Sequence, residues 1–173
     1  MRTRKRNFED GGDAIELLRT QHREIDDLLS ALTKARAASV KASVIAELGD
    51  LFAVHFALEE RVLYPGVRES DSGQVAVLAV EDHMSLKRLV AELLETDAED
   101  RVFDALVATL RAEVREHVVA EEKRVFPIVR RRLSPVRLRR LAYEMRVLEF
   151  ELRIASNPRL IILADTELRA PLT

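Results

Sequence analysis

Apolar residues recur every three or four positions along most of the chain, which is the spacing of one face of an α-helix. The first such stripe falls within residues 13–38 and comprises Ile15, Leu18, Ile25, Leu29 and Leu32. Asp13 and Glu16 precede it with the spacing of a capping box, in which each side chain accepts a hydrogen bond from the other residue's backbone N–H. These positions predict a helix that begins at Asp13 and ends near Ala38.

The same periodicity predicts four more helices, over residues 39–64, 72–95, about 100–128 and 134–155. Ser39, Ser72 and Ser134 are expected to cap three of them. Proline lacks the N–H that continues a helix, so Pro65 is expected to stop the second helix and Pro127 to kink or end the fourth. The tail after Pro158 carries the apolar run LIIL, and we expect it to dock as an extended arm or strand-like segment, or to mediate a homodimer.

The first pair of helices is repeated by the second pair. TQHREIDDLLSAL at 20–32 aligns with EDHMSLKRLVAEL at 81–93, and HFALEERVLYPGV at 55–67 aligns with HVVAEEKRVFPIV at 117–129. A repeated hairpin that closes on itself predicts an all-α fold, an up-down-up-down four-helix bundle over residues 13–133. Residues 1–12 are then expected to form a disordered basic arm, and residues 134–173 a fifth helix and tail that pack on the bundle or on a partner.

Composition and charge narrow the classes of partner. The chain of 173 residues is 47% hydrophobic and 34% charged with few Gly and Pro, which favours an all-helical domain with a substantial core. A net charge of −2 argues against nucleic acid as a partner, and no apolar run approaches the roughly 18–20 residues of a membrane span. The absence of cysteine excludes disulfides and thiolate ligands. The basic N-terminus lacks the apolar segment of a secretory signal, so we expect a cytoplasmic protein.

The densest charge run is RRRLSPVRLRR at residues 130–140. Its arginines are numerous enough to suggest phosphate contacts, but no aromatic residues are interleaved with them, and Glu144, Glu149 and Glu151 follow closely. We interpret the run as a solvated segment that partly complements the negative end of the fourth helix.

All four histidines of the chain fall on the inward stripes, one on each helix of the predicted bundle. Two of them belong to His-x-x-x-Glu units, whose spacing places the imidazole and the carboxylate one turn apart on the same face. The candidate metal ligands are His22, His55, Glu59, His83, His117 and Glu121.

Two buried carboxylates are costly unless a charge compensates them, and no lysine or arginine is expected on the inward rows beside these two. A pair of metal ions would supply that charge, since imidazole and carboxylate suit iron, manganese or zinc. A buried network of His–Glu hydrogen bonds would explain one His-x-x-x-Glu unit but not a symmetric pair of them.

The order of these residues, His22, then His55-x-x-x-Glu59, then His83, then His117-x-x-x-Glu121, resembles the hemerythrin-like, or HHE cation-binding, domain family over residues 13 to about 130. The extensions EERVLYP and EEKRVFP are also typical of that family. The resemblance implies a non-haem pair of iron ions with an oxo or hydroxo bridge. It further implies that His22 and His55 serve one iron, that His83 and His117 serve the other, and that Glu59 and Glu121 bridge them.

The sequence departs from the oxygen-carrying hemerythrins at two places. Ala79 stands where those proteins have a second histidine on the third helix, and Glu121 stands one residue before their carboxylate. The resemblance therefore implies an open coordination position, which favours chemistry or sensing over reversible oxygen carriage. Glu60, Glu122 and Asp82 could fill that position, but we expect them to support the ligands or to be solvated.

Three further positions carry weaker expectations. Asp26 is expected on the surface, because its counterpart in the repeat is Lys87. Tyr64 and Phe126 occupy matching places after the ligand units and are expected to fill the end of the core. Tyr64 or Tyr143 could instead donate a hydrogen bond or an electron to a species at the metal pair.

Three functions remain compatible with the sequence. The first is a di-iron protein that binds or senses oxygen, or that handles peroxide or nitric oxide. The second is an enzyme with catalase-like or peroxidase-like turnover of hydrogen peroxide. The third is a metal-stabilised module for protein interaction.

Overall fold

The computed structural model describes residues 12–68, 74–155 and 157–167, and for residues 74–82 it describes the backbone alone. The first helix shows how the sequence defines its ends. The Asp13 side chain accepts from the backbone N–H of Ile15 and Glu16, and Glu16 accepts from the N–H of Asp13 at 3.0 Å. The predicted capping box is therefore confirmed.

The helices of the bundle each pack against two neighbours. In chain order the α-helices are α1 Ala14–Lys34, α2 Ala38–Leu58, α3 Tyr64–Arg68, α4 Gln74–Glu95, α5 Arg101–Ala120, α6 Phe126–Arg132, α7 Pro135–Ile154 and α8 Leu160–Glu167. Helix α1 packs on α2, α2 on α4, α4 on α5, and α5 back on α1, so the ring closes. The predicted all-α four-helix bundle with a fifth, C-terminal helix is confirmed.

Pro65 does not stop its helix as predicted, and at Pro127 the helix changes its hydrogen-bond pattern but does not end. A π-helical segment, Glu59–Leu63, joins α2 to α3, and a second one, Glu121–Val125, joins α5 to α6. In each segment the following residue donates its N–H to the glutamate, Tyr64 to the carbonyl of Glu59 and Phe126 to that of Glu121. This wider turn accommodates the next residue, a proline without an N–H, and the helical backbone continues.

The outcome of the capping predictions is mixed. Ser134 accepts from the N–H of Arg137 at 3.2 Å and opens α7, as predicted. Helix α2 instead begins at Ala38, after Ala37, which has no side chain that could cap it, so the prediction for Ser39 was wrong. Ser72 and residues 1–11 of the predicted basic arm lie outside the described residues.

The C-terminal segments pack on the outside of the bundle. Helix α7 lies on α1, α2 and the first π-helical segment. Its close approach requires a glycine at position 66, because a Cβ there would lie 2.9 Å from a methyl carbon of Leu141. The LIIL run is helical rather than extended. It begins α8, which packs on α4 and α2 with Ile162 completely buried.

The core consists of two apolar clusters, one at each end of the bundle. Leu18 of α1 belongs to the first cluster and Ile25 to the second, and His22 lies between them on the same face. The polar residues of the bundle interior are thus enclosed by apolar packing above and below. None of the described helices has the length and apolar character that crossing a membrane requires.

Candidate metal centre

Six predicted residues meet in the middle of the bundle. Each retains at most 5% of its accessible surface, and they are His22, His55, Glu59, His83, His117 and Glu121. Helices α1, α2, α4 and α5 contribute one histidine each, and the two glutamates are the first residues of the π-helical segments. The wide turns that accommodate the prolines therefore begin at the two carboxylates.

The six side chains form two overlapping groups of potential ligands. His22, His55, Glu59 and Glu121 make up one group, and Glu59, His83, His117 and Glu121 make up the other. Within each group the donor atoms lie within 4.8 Å of one another. Both carboxylates are common to the two groups, and each group has two imidazoles of its own.

Each carboxylate contacts histidines from both hairpins. Glu59 Oε2 lies 3.2 Å from His83 Nε2 and 3.5 Å from His55 Nε2. Glu121 Oε2 lies 3.1 Å from His22 Nε2 and 3.5 Å from the Nε2 atom of His117. The four Nε2 atoms thus face the two carboxylates at the centre of the cluster.

Three of the imidazoles are oriented by contacts to their other nitrogen. Nδ1 of His22 lies 3.1 Å from Glu122 Oε1, and Nδ1 of His83 lies 2.9 Å from Glu60 Oε1. Nδ1 of His55 lies 3.1 Å from the amide oxygen of Gln21. Because these oxygens accept, each Nδ1 can carry a proton, which leaves Nε2 as the ring atom that is able to bind a metal.

Several atoms in this space are left with no hydrogen-bond partner among the described residues. They include Nε2 of His55 and Oε1 of Glu59. Unpaired buried polar atoms are uncommon in folded proteins, because each costs about 1–3 kcal/mol. A cation that accepts lone pairs from all of them would remove this cost, so the donor set fits a metal site.

The pKa shifts of the two carboxyls also indicate that the cluster lacks a positive charge. Burial and the nearby charge of Glu121 raise the pKa of Glu59 to about 8. Burial also disfavours the charged form of Glu121, but His22 and His117 outweigh it and hold the pKa of that carboxyl below its ordinary value. Two ionised carboxylates are thus unfavourable here without added positive charge, which bound metal ions would supply.

The pKa values of two of the histidines also shift in opposite directions. Burial lowers the pKa of His55 well below the ordinary value. Burial acts in the same direction on His83, but Glu59 and Glu60 outweigh it and raise its pKa to about 9. A metal that bound Nε2 of His83 would therefore displace a proton held by these two carboxylates.

A buried lysine supports one side of the cluster, so the expectation that no lysine or arginine lies on the inward rows was wrong. Lys87 is 5% exposed, and its Nζ lies 3.1 Å from Glu60 Oε1 and 2.8 Å from Asp165 of α8. Glu60 in turn holds His83, so the C-terminal helix is connected to the cluster through three side chains. The sequence contains the signal, since Lys87 stands four residues after His83 and shares its helical face.

We expect Lys87→Met to release metal about tenfold faster than the wild type. The loss of the ammonium leaves Glu60 and Asp165 unpaired and loosens the carboxylate that orients His83, and groups of this kind are worth about 10–100-fold in metal affinity. Transfer of metal to a chromogenic chelator in stopped flow measures the rate. The control is Lys41→Met, which removes a comparable lysine, 9% exposed and paired with Asp104. Equal release rates in the two variants would contradict the role of Lys87.

Two aromatic residues close the end of the cluster, as predicted. The Phe126 ring stacks on His22 with centroids 5.7 Å apart, and the Tyr64 hydroxyl donates to Glu121 Oε1 at 2.9 Å. The nearby carboxylates add to burial in raising the pKa of Tyr64, so the phenol keeps its proton. Tyr64 is thus both a core residue and a donor to a candidate ligand.

We expect Tyr64→Phe to lower the free energy of unfolding by about 1–2 kcal/mol while the metal content stays unchanged. The variant removes one hydrogen bond to a charged oxygen but no atom of the donor groups. Urea denaturation and elemental analysis of the loaded protein measure the two quantities. Tyr143→Phe is the matched control at protein concentrations that keep the chain monomeric, because its side chain is then 68% exposed and the change should stay within about 0.5 kcal/mol. Loss of metal from Tyr64→Phe would show that the hydroxyl is itself a ligand.

The remaining candidates are placed as follows. Glu60 and Glu122 contact Nδ1 atoms and so support ligands, one of the two roles expected for them. Asp26 is exposed, as predicted. The side chains of Ala79 and Asp82 lie outside the described residues.

Comparisons with known proteins agree on one family. The sequence model of the hemerythrin HHE cation binding domain matches residues 13–134. The fold is similar to the crystal structure of a hemerythrin HHE cation binding domain-containing protein from Mycobacterium kansasii, with a TM-score of 0.75 and 19% sequence identity. That likeness covers 83% of this chain and 89% of the other. No curated protein sequence gives a significant match.

Proposed function

This chain belongs to the hemerythrin HHE cation-binding family, and we propose that its buried cluster binds two iron ions and uses them to bind or sense oxygen or to handle peroxide or nitric oxide. The observation that carries the proposal is the pair of donor groups that share Glu59 and Glu121. A single metal ion would need one such group, whereas two overlapping groups suit a dinuclear site.

The two groups suggest how the ligands would be divided. His22 and His55 would hold one ion, and His83 and His117 the other, with Glu59 and Glu121 shared between them. Helices that project histidines and glutamates into the interior of a bundle are a known way to hold two metal ions.

The donor set favours iron over other metals of similar size. Two imidazoles with carboxylate oxygens and open positions are typical of non-haem iron, whereas the structural sites of zinc are closed by four ligands. Manganese and zinc remain alternative occupants, because both accept nitrogen and oxygen donors. A bound pair of irons would supply electrons and Lewis acidity to a small ligand that contains oxygen.

The protein's own residues prepare the site for a small ligand. Glu122, Glu60 and Gln21 hold three imidazoles in the tautomer that presents Nε2 to the centre. Phe56 lies with its ring centroid 4.5 Å from that of His83 and, together with the stacked Phe126, surrounds the cluster with apolar surface. Exclusion of water from the cluster strengthens its electrostatic interactions and limits access to small molecules.

Mixing the iron-loaded, reduced protein with oxygen, nitric oxide or peroxide tests the function. We expect the absorption spectrum to change with at least one of the three, in proportion to the amount of protein. Sustained evolution of oxygen from peroxide over many turnovers would instead identify a catalase-like enzyme. An unchanged spectrum with all three ligands would contradict the proposal and favour a metal-stabilised interaction module.

A further inference from the structure

Helix α7 has an apolar face that no described element covers. Its inward face is buried against the bundle, whereas the exposed side chains on the outer face are Val136 (68% exposed), Tyr143 (68%), Val147 (41%), Phe150 (66%) and Ile154 (64%). We call these five residues the outer stripe. They span 18 residues, or about 27 Å of helix. Exposed apolar residues scattered singly are ordinary, but several of them in a row on one face of a helix mark an interaction surface.

The spacing along the outer stripe is that of a two-stranded coiled coil. Successive members are separated by seven, four, three and four residues, which is the heptad pattern of alternating a and d positions. Val147 and Ile154 take the a positions, and Val136, Tyr143 and Phe150 take the d positions. The stripe therefore suits a second helix with the same pattern.

The charges beside the outer stripe favour a second copy of α7 as its partner, with the two helices parallel. Arg139, Arg146 and Arg153 follow one edge of the stripe, while Glu144 and Glu151 follow the other, on which Arg137 precedes them by one heptad. Two copies of this helix that run parallel about a twofold axis bring the basic edge of each against the acidic edge of the other. Antiparallel copies would bring the two basic edges together.

We propose that the chain forms a homodimer in which the outer stripes of two α7 helices pack in parallel. Arg139 then lies opposite the partner's Glu144, and Arg146 lies opposite the partner's Glu151. The bundles stand on opposite sides of the helix pair, because the face of α7 that packs on α1 and α2 points away from the outer stripe. This dimer is independent of the metal cluster.

Several polar groups beside the outer stripe have partners within the chain, and Arg146, which donates to the carbonyl of Gly12 at 3.0 Å, would exchange that bond for the partner's Glu151. Arg140 interrupts the outer stripe between Val136 and Tyr143, and its Nε donates to Glu144 of the same helix at 3.1 Å. Arg153 donates to Glu149 at 3.0 Å, so both arginines are held against their own helix. The apolar part from Tyr143 to Ile154 stays open to the partner.

Sedimentation equilibrium of the metal-loaded full chain tests the dimer. We expect a concentration-dependent dimer, because a single pair of helices buries a small interface. Phe150→Lys should convert it to a monomer with unchanged metal content. Val102→Lys is the control, because Val102 is 52% exposed on α5, away from the outer stripe, and the change should leave the dimer intact. If the wild type is a monomer at all concentrations, the proposal is wrong. The stripe would then be covered by residues 1–11 or by a different protein.

A single cysteine tests the direction of the helices, because the chain has none of its own. Under mild oxidation Ile154→Cys should form a disulfide-linked dimer, since residue 154 meets its counterpart only when the helices are parallel. Antiparallel helices would place it near residue 136 of the other copy, about 27 Å from its counterpart. Val102→Cys should remain unlinked. The double variant Val136→Cys/Ile154→Cys could instead link residue 136 of one copy to residue 154 of the other. If it does so while Ile154→Cys alone forms no linked dimer, the parallel arrangement is wrong.

Discussion

Glu59→Ala should remove most of the metal from both halves of the centre. Glu59 belongs to both donor groups, and its Oε1 has no hydrogen-bond partner among the described residues. Loss of a residue that only supports a ligand costs about 10–100-fold in affinity, so loss of a shared ligand should cost more than 100-fold. Elemental analysis after dialysis measures the effect, and we expect fewer than one ion per chain.

Glu60→Ala is the matched control for that experiment. Glu60 is adjacent in sequence, but it contacts Nδ1 of His83 and not the centre of the cluster. Its loss should weaken binding and still leave two ions per chain when metal is in excess. If Glu60→Ala removes metal as completely as Glu59→Ala, the assignment of inward and supporting carboxylates is wrong.

Removal of the metal should lower the melting temperature of the wild type by roughly 8–16 °C for each ion that is lost. A ligand present at about 1,000 times its dissociation constant stabilises the folded state by about 4 kcal/mol, and each kcal/mol corresponds to about 2–4 °C in a chain of this size. The apo protein also retains the unfavourable proximity of Glu59 and Glu121. Calorimetry with and without a chelator measures the difference.

Calorimetry of Glu59→Ala with and without the chelator separates the contribution of the metal to stability from that of side-chain packing. Because the variant lacks one of the two buried carboxylates, its apo form should melt no lower than the apo wild type, and the chelator should not shift it. A wild type whose melting temperature is insensitive to the chelator would argue against a metal bound in the core.

The bundle and the convergence of six side chains were predictable because both follow from local spacing. Helical periodicity gave the elements, and the repeated His-x-x-x-Glu unit placed an imidazole and a carboxylate on each inward face. That these residues bind metal stays a prediction. Lys87 was missed because its charge suggested the surface, although its spacing from His83 put it on the inward face.

The errors lie where local signals are weak or ambiguous. A run of four apolar residues such as LIIL fits a strand or a buried helix equally well, and contacts distant in sequence decide between them. For α8 those contacts include the ion pair of Asp165 with Lys87 and that of Arg159 with Asp50. The π-helical segments were missed because a proline indicates only that the helical hydrogen-bond pattern must change, not that the helix will continue.

The number of metal ions per chain tests the central claim most directly. Elemental analysis of protein produced in iron-rich medium should give two irons per chain, with near-ultraviolet absorption typical of an oxo-bridged ferric pair, because two donor groups share both carboxylates. One metal ion per chain, or zinc retained in preference to iron, would contradict the di-iron centre.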